Sequence, residues 1–547
     1  MKKKTAKILL LFLLAIGLFY RLYGLEKNYS FWTDENHVAI FSRAILERGR
    51  PVLANGYHTG AYQWLLYWLG AISAKIFGLN EFALRFPAAI FGVLTIGAVY
   101  LLGKKIFSRK AGFITAFLTA FLNIEILFSR QARPYQALQF FYVLSAYFLY
   151  QASNLKPQTS SKFWQSKFII GFLACGLLAS LFHGLGLVIF LNGFLFLFIT
   201  NFKNLKKWLP GFIFLAIIFG YFFRVQLLSL LPGLGKINNF FYYRVFLTHH
   251  YLPLTLLAGA GGLSLLINRH RPKENQKKLL LFIIFLGIQT MIVSFLLGQP
   301  FTRYFYPVFP FIILLAAHGL KALSSLLIFL ISKFPNFSEL CEQISQFQRA
   351  VRANFPISSR QSGANFPISA SFASEFLNFS ISLLLFLILI ALTAWQGKIS
   401  LLPQKIYSLN ADMQEIPEVD WKKIYQFAKE TLAQNPQAIL ITNWNDLPVW
   451  YLGENLENLY LAREKGQGSL TVDPVSGGKM IYSLEDLDKL VKENPQGIAI
   501  FDSWDNLLLQ GANEYARENF KKEMEVDRLY PVQPRFWPVN VYSWGME

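Results

Sequence analysis

The chain has 547 residues, of which 54% are hydrophobic, 17% aromatic and only 15% charged. Apolar runs of about 20 residues recur along it, each able to cross ~30 Å of hydrocarbon, which excludes an ordinary soluble domain and predicts an α-helical polytopic membrane protein. Lys and Arg number 52 against 32 Asp and Glu, a net charge of +20. In such a protein that excess suits basic cytoplasmic loops and contact with anionic membrane lipids, and no nucleic-acid motif accompanies it.

Taken in order, Met1–Lys7 is basic and precedes the apolar run Ile8–Tyr20. No small-residue cleavage site follows, so an uncleaved first span with a cytoplasmic N-terminus is expected. Next comes Ser30–Pro51, with the adjacent acids Asp34 and Glu35. Thr33 suits a helix start, Val38, Phe41 and Ile45 share one apolar face, Gly49 suits the C′ position and Pro51 stops the chain. This predicts a short amphipathic helix lying on the membrane. Acids in a first turn also simply complement the helix dipole. Tyr57–Leu79 is long enough to span, but charge bias favours an interfacial position that leaves the basic loop Lys104–Lys110 inside and His58 outside.

Spans are then expected at Leu84–Leu102, Ala111–Phe128, Ala137–Tyr150, Phe168–Phe182, Leu185–Thr200, Leu209–Phe223, Leu254–Ile267, Leu279–Leu297, Ile312–Ile331 and Phe376–Thr393, about eleven in all with the first. Outer turns carry Arg130, Arg133 and Tyr135, then His183, Arg244 with His249 and His250, and Arg303 with Tyr304. Residues 332–375 repeat ANFPIS and read as a disordered cytoplasmic loop. Residues 1–396 thus form a transmembrane domain, with an outer loop of interfacial helices at 30–80. Of the two cysteines, Cys175 falls in an apparent span and Cys341 in the cytoplasmic loop, so neither a disulfide nor a metal cluster is expected. Residues 397–547 turn soluble and predict a small extracytoplasmic α/β domain, with helices at Trp421–Leu432 and Leu484–Lys492 and strands at Ala438–Thr442 and Gly497–Phe501. The polar residues after those strands, Asn443–Asp446 and Asp502–Asp505, stand where open parallel sheets bind ligands, and equally where helix caps and packing residues belong.

One carboxylate pair facing several cations at the outer face suits transfer from an anionic lipid carrier. Arg clamps phosphate as leaving-group charge develops, and a carboxylate takes the proton from an attacking hydroxyl. Headgroup snorkelling accounts equally for any one Arg. No two His have a metal-binding helical spacing, and no nucleophile elbow, P-loop or dinucleotide fingerprint occurs.

Asp34-Glu35, Leu84-Arg85-Phe86-Pro87, Ser129–Tyr135 and Arg303–Pro307, in that order, together resemble the GT-C superfamily over roughly Met1–Ala317. The likeness is to the dolichyl-phosphate-mannose protein mannosyltransferases and their bacterial relatives, including the lipid A aminoarabinose transferase. The resemblance implies an inverting hexosyl or pentosyl transferase that uses a polyprenyl-phosphate sugar and acts on an acceptor hydroxyl of a protein, lipid or glycan at the plasma (inner) membrane. It makes Asp34 the catalytic base and Glu35 its neighbour that orients or neutralises. Arg303, with Arg130 or Arg133, would hold phosphate, and His58, Tyr135, His183, Arg244 and Tyr304 would line the substrate site. Some relatives carry a further acid where this chain has Pro134-Tyr135-Gln136. Asp34 and Glu35 alone make a thin shell for Mg or Mn, so no obligatory metal is expected, with a divalent ion as the alternative. A lipid-linked saccharide flippase would instead need polar groups buried through mid-span, of which the sequence shows few. A non-catalytic scaffold would leave Asp34 dispensable.

Overall fold

The computed structural model describes residues 3–27, 30–31, 33–59, 63–154, 167–200, 209–210, 213–214, 217, 220, 236–267, 272–333, 370–405, 407, 419–454, 456–465, 470–505, 507–528 and 537–546. The expectations for the loops at 151–167, 201–207 and 268–278, for the span at 209–223 and for the 332–375 loop therefore fall wholly or partly outside the described residues.

Helices dominate as far as Trp395. They are α1 (Lys3–Leu22), α2 (Thr33–Arg48), α3 (Trp64–Phe77), α4 (Glu81–Ile106), α5 (Arg109–Phe121), α6 (Asn123–Phe128), α7 (Tyr135–Ser153), α8 (Lys167–Phe182) and α9 (Val188–Thr200). There follow α10 (Phe240–Val245), α11 (Leu252–Ile267), α12 (Pro272–Phe295), α13 (Thr302–Phe305), α14 (Phe309–Ile331) and α15 (Ala370–Trp395). Among the described residues four helical stretches are long and apolar enough to cross a membrane: Lys4–Leu22, Glu81–Ile106, Lys273–Phe295 and Thr302–Ile331. A fifth, Phe240–Ile267, is bent by 101° after His250. Exposed Ile8, Leu11 and Phe12 on α1 and Ile283 on α12 present apolar side chains outward, as lipid contact requires.

The expected span Ala111–Phe128 is broken. Leu122 is extended, at φ −65° and ψ 129°, and separates α5 from α6. The backbone groups released by the break are taken up by the segment after α15: Asn123 N donates to Lys398 O at 2.8 Å and Ser400 N to Phe121 O at 3.4 Å. That pairing lets non-helical backbone exist beside a membrane bundle.

The helix expected after the first span forms as α2, but it is enclosed on more than one face instead of lying on a surface: Asn36, Ala39, Ile40, Ser42 and Ala44 are buried as well as its expected apolar face, because α3 and the C-terminal residues pack against it. Val38, Phe41 and Ile45 are buried, with Phe41 stacked on Tyr67 of α3 at 5.0 Å. Gly49 adopts φ +72° just past the last turn, a left-handed position that favours glycine.

The C-terminal residues build a six-stranded sheet of order β3-β2-β1-β4-β6-β5. β1 (Ile439–Thr442), β2 (Leu459–Ala462), β3 (Lys479–Ile481) and β4 (Gly497–Asp502) run parallel, while β6 (Val539–Trp544) is antiparallel to both β4 and β5 (Lys521–Val526). Strand alternation sorts the core into two layers. Leu440, Ile498 and Val541 face α16 (Trp421–Gln434) and α17 (Asp446–Leu452). Ile441, Phe501 and Tyr542 share the other layer with Leu487 of α18 (Leu484–Glu493) and Ala516 of α19 (Ala512–Asn519).

Candidate active site

The acidic pair divides. Asp34 and Glu35 are neighbours on α2, so their side chains leave the helix about 100° apart and meet different partners. Glu35 is buried, and its two oxygens accept from Arg85 Nε and Nη2 of α4, each at 2.8 Å. Glu35 Oε1 also accepts from Ala132 N at 2.7 Å. This forked pair, buried on both sides, clasps α2 to α4 and to the 129–134 turn. Glu35 is thus occupied in holding the site together and is not offered to a substrate.

Asp34 has the opposite character, with 46% of its side chain open. Arg133 Nη2 lies 2.5 Å and Arg303 Nη1 3.5 Å from Asp34 Oδ2. Oδ1 has no partner among the described residues. Enclosure by protein pushes the Asp34 pKa up, but Arg133, Arg303 and His37 outweigh it and hold the carboxyl below its ordinary value.

Around this centre stand Tyr135, His183 and Tyr304. The His183 ring is 5.3 Å from Tyr135 and 6.3 Å from Tyr304, while the Arg133 guanidinium lies 4.9 Å from the Tyr135 ring centre and that of Arg303 5.3 Å from Tyr304. His183 Nδ1 accepts from Leu185 N at 3.1 Å. Burial, then Arg303 and Arg133, push the His183 pKa down to about 3, so its ring is neutral at pH 7. Five of the residues expected from the sequence, Arg133, Tyr135, His183, Arg303 and Tyr304, thus gather at Asp34.

Three others do not. Arg130 is a correction: its guanidinium donates to Tyr23 O at 2.8 Å and Lys405 O at 2.6 Å and lies over Tyr407, so it straps the end of α1 to the segment after α15 instead of facing a phosphate. His58 is exposed on the loop after α2, and Arg244 is exposed on α10; neither is among the charges that bear on Asp34.

Sequence reasoning missed His37. It lies three residues after Asp34, hence on the same helix face, and that spacing was the available signal. Its ring packs on Phe41 at 4.9 Å, and burial, opposed by Asp34, pushes its pKa down to about 4. Also missed was a buried polar cluster beneath the site. Tyr306 Oη bridges Glu125, at 2.9 Å, and Gln136, at 2.6 Å; Gln139 donates to Glu125 and to Tyr306 O. The cluster lies at the helix ends next to the 129–134 turn, not through mid-span. These groups satisfy one another, and they fasten the Tyr306–Val308 turn, which carries Arg303 just before it, to α6 and α7.

The sheet docks on α2 from outside. Arg43 donates to Val449 O at 2.6 Å and Trp450 O at 3.2 Å, the Phe31 and Trp450 rings pack at 5.3 Å, and Arg48 pairs with Glu454 at 2.7 Å. This places Asp446, the first residue of α17, within electrostatic reach of Asp34. Burial, with Asp34 adding to it, pushes Asp446 up to about 7, and its Oδ1 is buried without a partner. Nothing in the sequence announces this approach, because it depends on how the sheet docks. Among the described residues no three His, Cys, Asp or Glu side chains converge on one point.

Residues 64–222 match the family model described as dolichyl-phosphate-mannose-protein mannosyltransferase. The chain is 31% identical over 226 residues to dolichyl-phosphooligosaccharide-protein glycotransferase 1 of Pyrococcus furiosus, an alignment covering 38% of this chain and 22% of that one. The chain spans less than a third of the length of the curated relatives it matches. In fold it is similar to ArnT from Cupriavidus metallidurans bound to undecaprenyl phosphate, with a TM-score of 0.56, 15% identity and 97% of each chain covered. It is also similar to the oligosaccharyltransferase AglB from Archaeoglobus fulgidus in complex with an inhibitory peptide and a dolichol-phosphate, with a TM-score of 0.55, 13% identity, and 98% of this chain and 76% of that one covered. The resemblance to GT-C glycosyltransferases thus stands, and the similarity of fold runs beyond residue 317 into the C-terminal sheet.

Proposed function

We propose that this protein is an inverting glycosyltransferase that moves a sugar from a polyprenyl-phosphate donor to an acceptor hydroxyl on the extracytoplasmic face. The observation that carries this reading is Asp34, an open carboxylate with two guanidiniums on one oxygen and the other oxygen unpartnered. The matched family and the undecaprenyl phosphate bound by ArnT support the donor class.

The acceptor oxygen attacks the anomeric carbon, the carbon–oxygen bond to phosphate breaks, and the acceptor proton passes to Asp34. Arg133 and Arg303 take the charge that develops on the leaving phosphate. The two arginines also link the partners. While they lie on Asp34 they keep it ionised and weakly basic. A donor phosphate that draws them away leaves Asp34 a stronger base at the moment it is needed. Glu35 and Arg85 hold α2 in place, and no step requires a metal. Asp446 brings the soluble sheet to the rim, where an acceptor enters.

The test is transfer by the purified full-length protein in lipid, with a panel of polyprenyl-phosphate sugars and with and without EDTA. Asp34→Asn keeps the shape and removes the base, and transfer is expected to fall about a hundredfold or more. A folded variant as active as wild type would remove Asp34 from the mechanism.

A further inference from the structure

A polar cavity lies at the end of the bundle away from Asp34. α4 runs from Arg85, beside Glu35, to its C-cap Phe107, about 33 Å away at 1.5 Å per residue. Phe107 lines a cavity of about 150 Å³ together with Ser264 of α11, Asn275 and Lys278 of α12, and His318 and Lys321 of α14. The helices meet closely on the way to it. A Cβ at Gly319 would run into Leu257 O, and one at Gly261 into Leu315 O, so both glycines are needed for α11 and α14 to bring their ends together.

The lining is cationic. Lys278 and Lys321 both line the cavity, and among the described residues the acid paired there is Glu274, 2.7 Å from Lys278. A snorkelling lysine sends its ammonium out to water. Lys278 is largely enclosed, with 11% of its side chain exposed, whereas Lys321 is exposed. His318 lies flat on Phe107, with ring centres 4.2 Å apart and planes 7° apart, and its Nδ1 is buried without a partner. On the same helix end, Leu263, Leu266 and Ile267 of α11 are exposed apolar side chains.

We propose that this cavity is a binding site for the phosphate-bearing headgroup of an anionic membrane lipid, held by Lys278, Lys321 and His318, with the acyl chains along the exposed end of α11. Basic pockets between transmembrane helices at the interface take such headgroups. A lipid fits better than a free anion because Ser264 and Leu265 of the lining are flanked along α11 by the exposed apolar side chains Leu263, Leu266 and Ile267. The site is separate from Asp34 and does not depend on what Asp34 does.

The experiment is native mass spectrometry of the detergent-purified full-length protein titrated with phosphatidylglycerol, phosphatidylcholine or inorganic phosphate. Wild type is expected to retain one phosphatidylglycerol that neither phosphatidylcholine nor phosphate displaces. Lys278→Gln with Lys321→Gln is expected to weaken that binding at least tenfold. Lys104→Gln with Lys105→Gln removes the same charge from the same end of the bundle, outside the cavity, and leaves binding intact. His318→Phe keeps the stack on Phe107 and loses only the nitrogens, so it covers the case in which the lysine pair fails to fold; it weakens binding severalfold. Equal retention by the cavity variants and wild type overturns the site. Equal loss in both lysine pairs reduces it to surface charge, and displacement by phosphate overturns the lipid assignment.

Discussion

Two polar clusters stand out in this molecule, and they differ in how fully they satisfy themselves. At the ends of β1 and β4, Asn443 Nδ2 donates to Asp505 at 2.9 Å, Asp502 N donates to Asn443 Oδ1 at 3.0 Å, and Trp444 Nε1 donates to Asp502 Oδ2 at 2.9 Å. Arg528, buried beside them, pairs with Asp502. Donors and acceptors cancel, and the cluster stitches strand ends together. At the N-terminus of α2, Asp34 is half-open, with two cations on one oxygen and no partner for the other. Residue types are similar in the two places. What separates architecture from chemistry is whether the polar groups are left with something to bind.

The sharpest way to break that comparison lies in the clasp. Arg85→Ala leaves Glu35 buried and charged without its partner. Breaking a buried pair in this way costs about 3–5 kcal/mol. Thermal unfolding in detergent should show a lowered midpoint, with transfer by the molecules that stay folded reduced far less than by loss of the Asp34 carboxylate. Asp34→Asn should do the reverse, with full folding and no transfer. If the two variants behave alike, the division of the acidic pair is wrong.

The sequence made part of this visible. Helix α2, its apolar face and its glycine stop were legible because periodicity and end signals are local. So was the gathering of Arg133, Tyr135, His183, Arg303 and Tyr304, since each sits on a turn at the same end of the bundle. The roles of Arg130 and Glu35 were not legible. Alone, an arginine in an outer turn reads as a phosphate ligand; only the fold shows Tyr23 O and Lys405 O taking its two terminal nitrogens. The break at Leu122 was hidden for a related reason, because it depends on a strand-like segment around Ile399, far along the chain, that supplies the missing hydrogen bonds.

A middle-sized effect is expected at the self-satisfied cluster. Asn443→Ala leaves Asp502 N and one Asp505 oxygen buried without partners, at about 1–3 kcal/mol. The sheet should unfold earlier in denaturant, while the affinity of the intact protein for undecaprenyl phosphate stays unchanged. A loss of that affinity would make the strand ends part of the donor site after all.

The smallest effect separates the two regions by pH. His37 titrates near 4 in the folded protein and near 6.5 when unfolded. Above pH 6.5 neither state binds the proton and the fold keeps its full preference for the neutral ring. As pH falls from 6.5 towards 4 the unfolded chain takes up a proton that the folded one refuses, so the His37 contribution to stability declines, while Asp446, pushed up to about 7, contributes the opposite slope. His183, pushed down to about 3, adds to the His37 slope with the same sign. His37→Gln should therefore raise the unfolding midpoint relative to wild type progressively as pH falls from 6.5 to 4.5. Asp34 moves the other way, because its arginines hold it ionised below the ordinary carboxylate range, and it should keep its charge throughout this window. A His37→Gln variant whose midpoint follows the same pH course as wild type would mean that His37 is solvated and charges freely, and the packed wall beside Asp34 would then be open to water.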